Sequence, residues 1–143
     1  SRLGSFEGLY VADLFAGSGA LGIEALSRGA AHCLFGEQDR EAIDALRKNL
    51  AALGAAARAE VRAGSVLALG PAPRSFDLLL LDAPYATGAG SVALDKLARL
   101  GWVDADSWIS IETGEKESVD VAGFAIEAER KVGKAKLTLL RAD

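Results

Sequence analysis

The sequence predicts an α/β fold with an open, mostly parallel β-sheet and helices on both faces. Short apolar segments alternate with helical patterns along the chain, which is typical of this class. Residues 77–81 are almost continuously apolar, as in a strand buried on both faces of a parallel sheet. A glycine-rich turn also joins the first predicted strand to the first helix. In such sheets, ligands bind at the carboxyl ends of the central strands.

The first half of the chain predicts three strands and two helices. The first strand covers residues 8–15, and a short helix over 20–28 ends at Gly29. A second strand over 33–36 ends at Glu37. Apolar residues at three- and four-residue spacing then predict a helix over 40–53, ended by Gly54. The third strand covers residues 59–63, and a turn or short helix with a loop follows up to residue 73.

The second half predicts four more strands and one helix. The fourth strand covers 77–81, a helix follows over 92–100, and the fifth strand covers 108–112. Residues 124–131 and 136–141 read as two strands joined by a turn at 132–134. Alternating polar and apolar residues after 135 favour a half-exposed strand. We expect this closing hairpin to add antiparallel strands at one edge of the sheet.

Composition limits the class of protein. The chain has 143 residues, half of them apolar and a quarter charged, so we expect one domain over 1–143. No apolar run approaches the roughly 20 residues of a membrane span, and the first residues do not resemble a signal peptide. One cysteine, Cys33, excludes an internal disulfide, and one histidine makes a metal site unexpected. We predict a cytoplasmic monomer without a membrane partner. Its net charge of −4 disfavours broad adhesion to nucleic acid but allows a local basic rim.

The glycine-rich turn predicts a nucleotide-like ligand. Gly17, Gly19 and Gly22 occupy the first, third and sixth positions and open a helix, whose first amides face any ligand. Glu37 follows at the end of the next strand, where a carboxylate can accept both hydroxyls of a ribose. The alternative is a tight strand-to-helix turn without a ligand.

Asp13 favours a cationic cofactor over a dinucleotide. A carboxylate four positions before the first glycine would repel a pyrophosphate, but it could hold a cationic amino acid group directly or through water. S-adenosylmethionine carries an amino group and a sulfonium, so it suits an acidic pocket. Asp13 could instead stabilise the turn by accepting from loop amides. Gly64 and Ser65 could contact an adenine ring, or Ser65 could cap a helix.

The turn Asp82-Ala83-Pro84-Tyr85 predicts methyl transfer to an amine on a flat ring. The Asp82 carboxylate and the Ala83 carbonyl can accept the amine hydrogens and stabilise developing positive charge. Pro84 fixes the loop, and Tyr85 offers a stacking face. The alternative is a buried strand that ends in an Asp-x-Pro turn against which Tyr85 packs.

For several other conspicuous residues, a structural role is the main prediction. We expect packing or surface roles for His32, and packing at a helix-to-strand corner for Trp102 and Trp108. Four cations cluster in the final hairpin, at Arg130, Lys131, Lys134 and Lys136. They fit solvated charge that protects an edge strand, or alternatively a rim that contacts phosphates.

The motifs together resemble the bacterial RsmD family. The resemblance lies in residues 13–30, 37–40, 49–50 and 76–85, and it extends through nearly the whole chain. It implies an S-adenosylmethionine-dependent methyltransferase that modifies N2 of one guanine in 16S ribosomal RNA, releasing S-adenosylhomocysteine. It also implies a Rossmann-like class I methyltransferase fold with seven strands. The implied cofactor residues are Asp13, Phe15, Ala16, Gly17, Ser18, Gly19, Gly22, Glu37 and Gln38; the implied amine-binding residues are Asp82, Ala83, Pro84 and Tyr85.

Two departures from the family pattern bear on activity. Ala83 stands where the family usually has proline, so we expect a less rigid loop and slower or looser catalysis. The family's basic N-terminal segment is expected to be missing, which affects RNA binding more than cofactor binding. The implied partner is small-subunit ribosomal RNA or the assembling subunit. Methylation of another RNA base or of adenine N6 in DNA, and a cofactor-binding scaffold with weakened catalysis, stay open.

Overall fold

Seven strands form one sheet in the computed structural model, which describes residues 5–84 and 87–143. The order across the sheet, numbered along the chain, is β3-β2-β1-β4-β5-β7-β6. Neighbouring strands in the part of this order from β3 across to β5 pair in parallel, and β7 pairs antiparallel with both β5 and β6. This confirms the predicted mostly parallel sheet with an antiparallel hairpin at one edge. The strands are β1 (Tyr10–Leu14), β2 (His32–Glu37), β3 (Ala59–Ala63), β4 (Leu78–Leu81), β5 (Trp108–Gly114), β6 (Phe124–Val132) and β7 (Ala135–Ala142).

Helices cover both faces of the sheet, as predicted. Helices α1 (Ala20–Ser27) and α2 (Arg40–Ala52) pack on one face, where they bury leucines such as Leu26 and Leu46 against β1 and β2. Helix α3 (Ala89–Arg99) packs on the other face through Leu94 and Leu97. Short 3₁₀ turns cover Ala56–Arg58 and Val66–Ala68.

Helix α3 begins three residues earlier than the sequence predicts, at Ala89 rather than Val92. The Thr87 hydroxyl donates to the carbonyl of Pro84 (2.7 Å) and accepts from the amide of Ala89 (3.2 Å). Gly88 then turns the chain with φ of 68°. The helix therefore starts immediately after the turn that follows β4.

The two tryptophans pack as expected. Trp102 is fully buried, stacks on Phe76 with ring centroids 5.3 Å apart, and donates from Nε1 to the carbonyl of Gly70 (2.9 Å). Trp108 is half-buried at the start of β5, below the guanidinium of Arg141. His32 lies beside Tyr10, which agrees with a packing role.

Strand order reverses between β1 and β4, because β2 and β3 follow β1 on one side while β4 and β5 lie on the other. Ligands in open α/β sheets collect outside the carboxyl ends of strands at such a point.

Within residues 5–84 and 87–143, no helix combines the length and apolar character that crossing a membrane requires.

Candidate active site

A cavity of about 460 Å³ opens where β1, β2, β4 and β5 end. Three of its lining residues carry carboxylates, and no lysine or arginine is among the described residues that line it. A cleft lined by one sign of charge attracts ligands of the opposite sign, so this cavity favours a cationic occupant. The lining residues are Phe15, Gly17, Glu37, Gln38, Gly64, Val66, Asp82, Ala83, Pro84 and Glu112.

The loop after β1 forms one wall of the cavity. Phe15 adopts φ of 65°, a left-handed conformation that is uncommon for a bulky residue and that concentrates at functional sites. Gly17 also has positive φ, and a Cβ added there would meet no atom within 4 Å. The amide of Ala16 donates to the carbonyl of Gly36 (3.0 Å), and the carbonyl of Ser18 accepts from Asn49 Nδ2 (3.2 Å). The loop is thus anchored to β2 and α2 while Gly17 leaves space above it.

Gly19 and Gly22 lie beneath the loop, where the structure gives them a packing role rather than a place in the cavity wall. A Cβ on Gly19 would lie 2.2 Å from Leu46 Cδ1, and one on Gly22 would lie 2.4 Å from Phe35 Cε1. Both glycines therefore let α1 approach β2 and α2 closely. Direct contact of these two residues with a cofactor stays a prediction.

Asp13 is 1% exposed and supports the loop from below. Its Oδ2 accepts from the amide of Gly22 (3.0 Å), so the turn-stabilising interpretation agrees with the structure. Burial raises the pKa of Asp13 to about 7; the Gly22 hydrogen bond opposes that rise, and the charges of Asp82 and Glu37 add to it. Contact with a cationic amino acid group stays a prediction.

Glu37 connects the glycine loop to the start of α2. Its Oε1 accepts from the amide of Gly17 (2.7 Å), and its Oε2 accepts from the amides of Gln38 (3.0 Å) and Asp39 (2.8 Å). A carboxylate oxygen has two lone pairs, so Oε1, which accepts one hydrogen bond, can still accept from a ligand, whereas Oε2 already accepts two. Glu37 lines the cavity, and contact with a ribose stays a prediction.

The segment after β3 brings Gly64 to the cavity and directs Ser65 elsewhere. The amide of Gly64 donates to the carbonyl of Glu37 (2.8 Å). Ser65 Oγ accepts from the amide of Leu67 (3.2 Å), so it caps the short turn Val66–Ala68. Of the two alternatives for Ser65, the structure shows the cap, and contact with an adenine ring stays a prediction.

The turn after β4 forms another part of the cavity wall. Asp82, Ala83 and Pro84 all line the cavity, and Ala83 is buried. Burial, together with the charge and hydrogen bond of Glu112, raises the pKa of Asp82 to about 6. Tyr85, the predicted stacking residue, lies outside the described residues.

Two lining residues, Val66 and Glu112, were not predicted from the sequence. Glu112 follows Ile111, the partner of Leu81 in the parallel pairing of β4 and β5. Asp82 and Glu112 each directly follow an apolar stretch in the sequence. This pattern predicts that they lie together only once β4 and β5 are known to be neighbours. No group of three or more potential metal-ligating side chains occurs in the described part of the chain.

Comparison with known proteins agrees with the motifs. Residues 4–141 match the family described as conserved hypothetical protein 95. The chain is 37% identical over 126 residues to "Ribosomal RNA small subunit methyltransferase D" of Haemophilus influenzae, covering 85% of this chain and 65% of that protein. It is 32% identical over 124 residues to the Escherichia coli protein of the same name, covering 85% and 63%. The chain thus spans less than two thirds of the length of these relatives.

Solved structures show the same fold. A conserved hypothetical protein of Streptococcus pyogenes superposes with a TM-score of 0.86 at 29% identity, over 97% of this chain and 89% of that one. The ribosomal protein L11 methylase of Lactobacillus delbrueckii superposes with a TM-score of 0.79 at 20% identity, over 99% and 74%, and this likeness concerns the fold alone. The architecture is therefore the Rossmann-like class I methyltransferase fold that the resemblance implies. With its family match over nearly the whole sequence, the chain belongs to the conserved hypothetical protein 95 family, the RsmD family that its motifs resemble.

Proposed function

We propose that this chain transfers a methyl group from S-adenosylmethionine to ribosomal RNA, at the exocyclic N2 of a guanine in the small subunit. One observation carries the proposal. The glycine loop with Glu37 and the Asp82 turn, predicted separately from the sequence, line the same cavity. Relatives in this family are named ribosomal RNA small subunit methyltransferases.

The residues of the cavity fit the proposed cofactor. Gly17 leaves open space above the loop, and Glu37 presents a carboxylate where ribose hydroxyls would donate. The acidic lining suits a sulfonium and an amino group better than a pyrophosphate. We assign Phe15, Gly17, Glu37, Gln38 and Gly64 to hold it. When bound, S-adenosylmethionine supplies an electrophilic methyl group.

The turn after β4 would orient the substrate amine. The ionised carboxylate of Asp82 accepts an amine hydrogen, which fixes the nitrogen and stabilises positive charge developing on it. The carbonyl of Ala83 is the second proposed acceptor, and Pro84 restrains the turn. Tyr85 remains the proposed stacking surface for the base. Because acceptors and cofactor residues share one cavity, amine and methyl group would be held in a geometry close to that of reaction.

The hairpin between β6 and β7 supports an RNA substrate. Gly114 at the end of β5 pairs with Ala135 at the start of β7. The hairpin turn therefore lies at the carboxyl ends of the parallel strands, as the cavity does. Arg130, Lys131 and Lys134 are exposed there. Lys136 is different: it is half-buried, lies 3.4 Å from the Glu129 carboxylate and donates to the carbonyl of Glu117. We therefore assign a basic rim, made of Arg130, Lys131 and Lys134, to phosphate contacts.

Calorimetry and a methylation assay test the proposal. We expect the protein to bind S-adenosylmethionine and S-adenosylhomocysteine, and to methylate small-subunit particles from cells that lack this protein. Mass spectrometry of the digested RNA should then show N2-methylguanosine. Another methylated base, or methylated adenine in DNA, would support the sibling activities instead. Cofactor binding without methyl transfer to any of these would support the scaffold.

A further inference from the structure

Glu112 and Asp82 are neighbouring acidic residues in the lining of the cavity. In the parallel pair of β4 and β5, Leu81 lies beside Ile111. The next residues along the two segments are Asp82 and Glu112. Neighbouring strands lie roughly 4.8 Å apart, so these side chains are within reach of each other. Both line the cavity, and their carboxyl groups are hydrogen-bonded. Glu112 therefore stands where it would meet the same substrate as Asp82.

Two adjacent carboxylates match the hydrogen-bonding edge of guanine. That edge presents N1–H beside the N2 amine, which are neighbouring donors, whereas adenine presents the acceptor N1 beside its N6 amine. A carboxylate accepts from N1–H of guanine but opposes the lone pair of adenine N1. A site with one carboxylate could hold the amine of either base, but the second carboxylate distinguishes them.

We propose that Glu112 is a base-recognition residue whose carboxylate accepts N1–H of the target guanine while Asp82 accepts a hydrogen of its N2 amine. This inference rests on the proposed function and adds a specificity determinant to it. The described titratable groups around Asp82 are Glu112 from β5, Asp13 from β1 and Glu37 from β2 in the same cavity lining, and all are acidic. Because burial and, after it, Glu112 raise the pKa of Asp82 to about 6, methyl transfer should decline as pH falls through that value and Asp82 loses its charge.

The test compares Glu112→Gln and Glu112→Ala with the wild type and with Glu115→Gln. Glu115 is exposed just beyond β5 and serves as the matched control. We expect kcat/KM on undermethylated small-subunit particles to fall by about 10- to 100-fold in Glu112→Ala. The loss should be smaller in Glu112→Gln, whose amide oxygen still accepts. The affinity for S-adenosylmethionine should stay within about twofold, and Glu115→Gln should behave as wild type.

Two pH measurements separate recognition from a merely structural role. In the ligand-free protein, carboxyl NMR should show a lower pKa for Asp82 in Glu112→Gln than in wild type. The acidic limb of kcat/KM should move to lower pH in the same variant. An unchanged Asp82 pKa, or wild-type kcat/KM in both Glu112 variants, would overturn the inference while the proposed function stands. A wild type that binds no cofactor or transfers no methyl group would end both.

Discussion

At the scale of single residues, the Glu37 carboxylate connects the loop after β1 to the start of α2. It accepts from three backbone amides, those of Gly17, Gln38 and Asp39, and it also lines the cavity. One side chain thus shapes the glycine loop and presents charge to the cavity. Its place at the cavity was predictable because a carboxylate about 20 residues beyond such a loop ends the next strand, and ribose binding stays a prediction.

We predict that Glu37→Ala weakens S-adenosylmethionine binding by about 10- to 100-fold, the range expected for hydrogen bonds to a charged group. Calorimetry with wild type and variant measures this. Glu41→Ala is the control, because Glu41 is exposed in the first turn of α2 and does not line the cavity. An affinity of Glu37→Ala within twofold of wild type would remove Glu37 from the proposed cofactor site.

Asp13 and Glu112 show where residue-level prediction reached its limit. The sequence singled out Asp13 but could not decide between a ligand contact and support of the loop, because burial depends on the packing of α1. Glu112 belongs to no motif. Its importance arises from the pairing of β4 with β5, which brings together residues 30 positions apart in sequence.

At the scale of elements, the close approach of α1 to β2 positions the glycine loop that joins β1 to α1. Gly22 lies on α1 against Phe35 and Cys33 of β2, and any side chain there would collide with them. The third glycine of the motif therefore serves helix–strand packing, while the first leaves room for a ligand.

We expect Gly22→Ala to lower the free energy of unfolding by about 1–2 kcal/mol. The new Cβ would lie 2.4 Å from Phe35 Cε1, and such overpacking costs more than alanine gains in a helix. Urea unfolding measures the change. Gly70→Ala provides the control, since a Cβ at Gly70 meets no atom within 4 Å. Equal stability of Gly22→Ala and wild type would contradict the packing role.

The order and type of the elements were predictable, and their ends less so. Apolar periodicity and glycine stops identified all seven strands and the three α-helices. The early start of α3 was missed, because it depends on the hydrogen bonds of Thr87 and the positive φ of Gly88 rather than on apolar spacing. The edge position of the hairpin was expected, but the full strand order was not predicted, since spacing along the chain does not determine neighbours in a sheet.

At the scale of the whole molecule, charge is divided between cavity and rim. The net charge is −4, and the cavity is acidic, yet exposed cations occur in the hairpin between β6 and β7, near the same carboxyl ends of the strands. This distribution suits a cationic cofactor within the cavity and an anionic RNA backbone beside it. Net charge alone would have argued against an RNA substrate.

We expect Lys131→Ala and Lys134→Ala each to weaken binding of small-subunit RNA particles and to reduce the salt dependence of binding by about one unit of log–log slope. Titrations over a series of salt concentrations measure both effects. Lys48→Ala, on the exposed side of α2, is the control. An unchanged slope in both hairpin variants would assign the rim to edge-strand protection rather than to RNA.

The central claim is that one cavity holds the methyl donor and the target amine together, with Asp82 as acceptor. The most direct measurement compares wild type and Asp82→Ala in two assays, cofactor calorimetry and methyl transfer to undermethylated small-subunit particles. We predict that Asp82→Ala transfers at least about 100-fold more slowly, as expected when a group that stabilises transition-state charge is lost, while cofactor affinity changes by less than about threefold. Equal rates of methyl transfer in wild type and Asp82→Ala would contradict the claim.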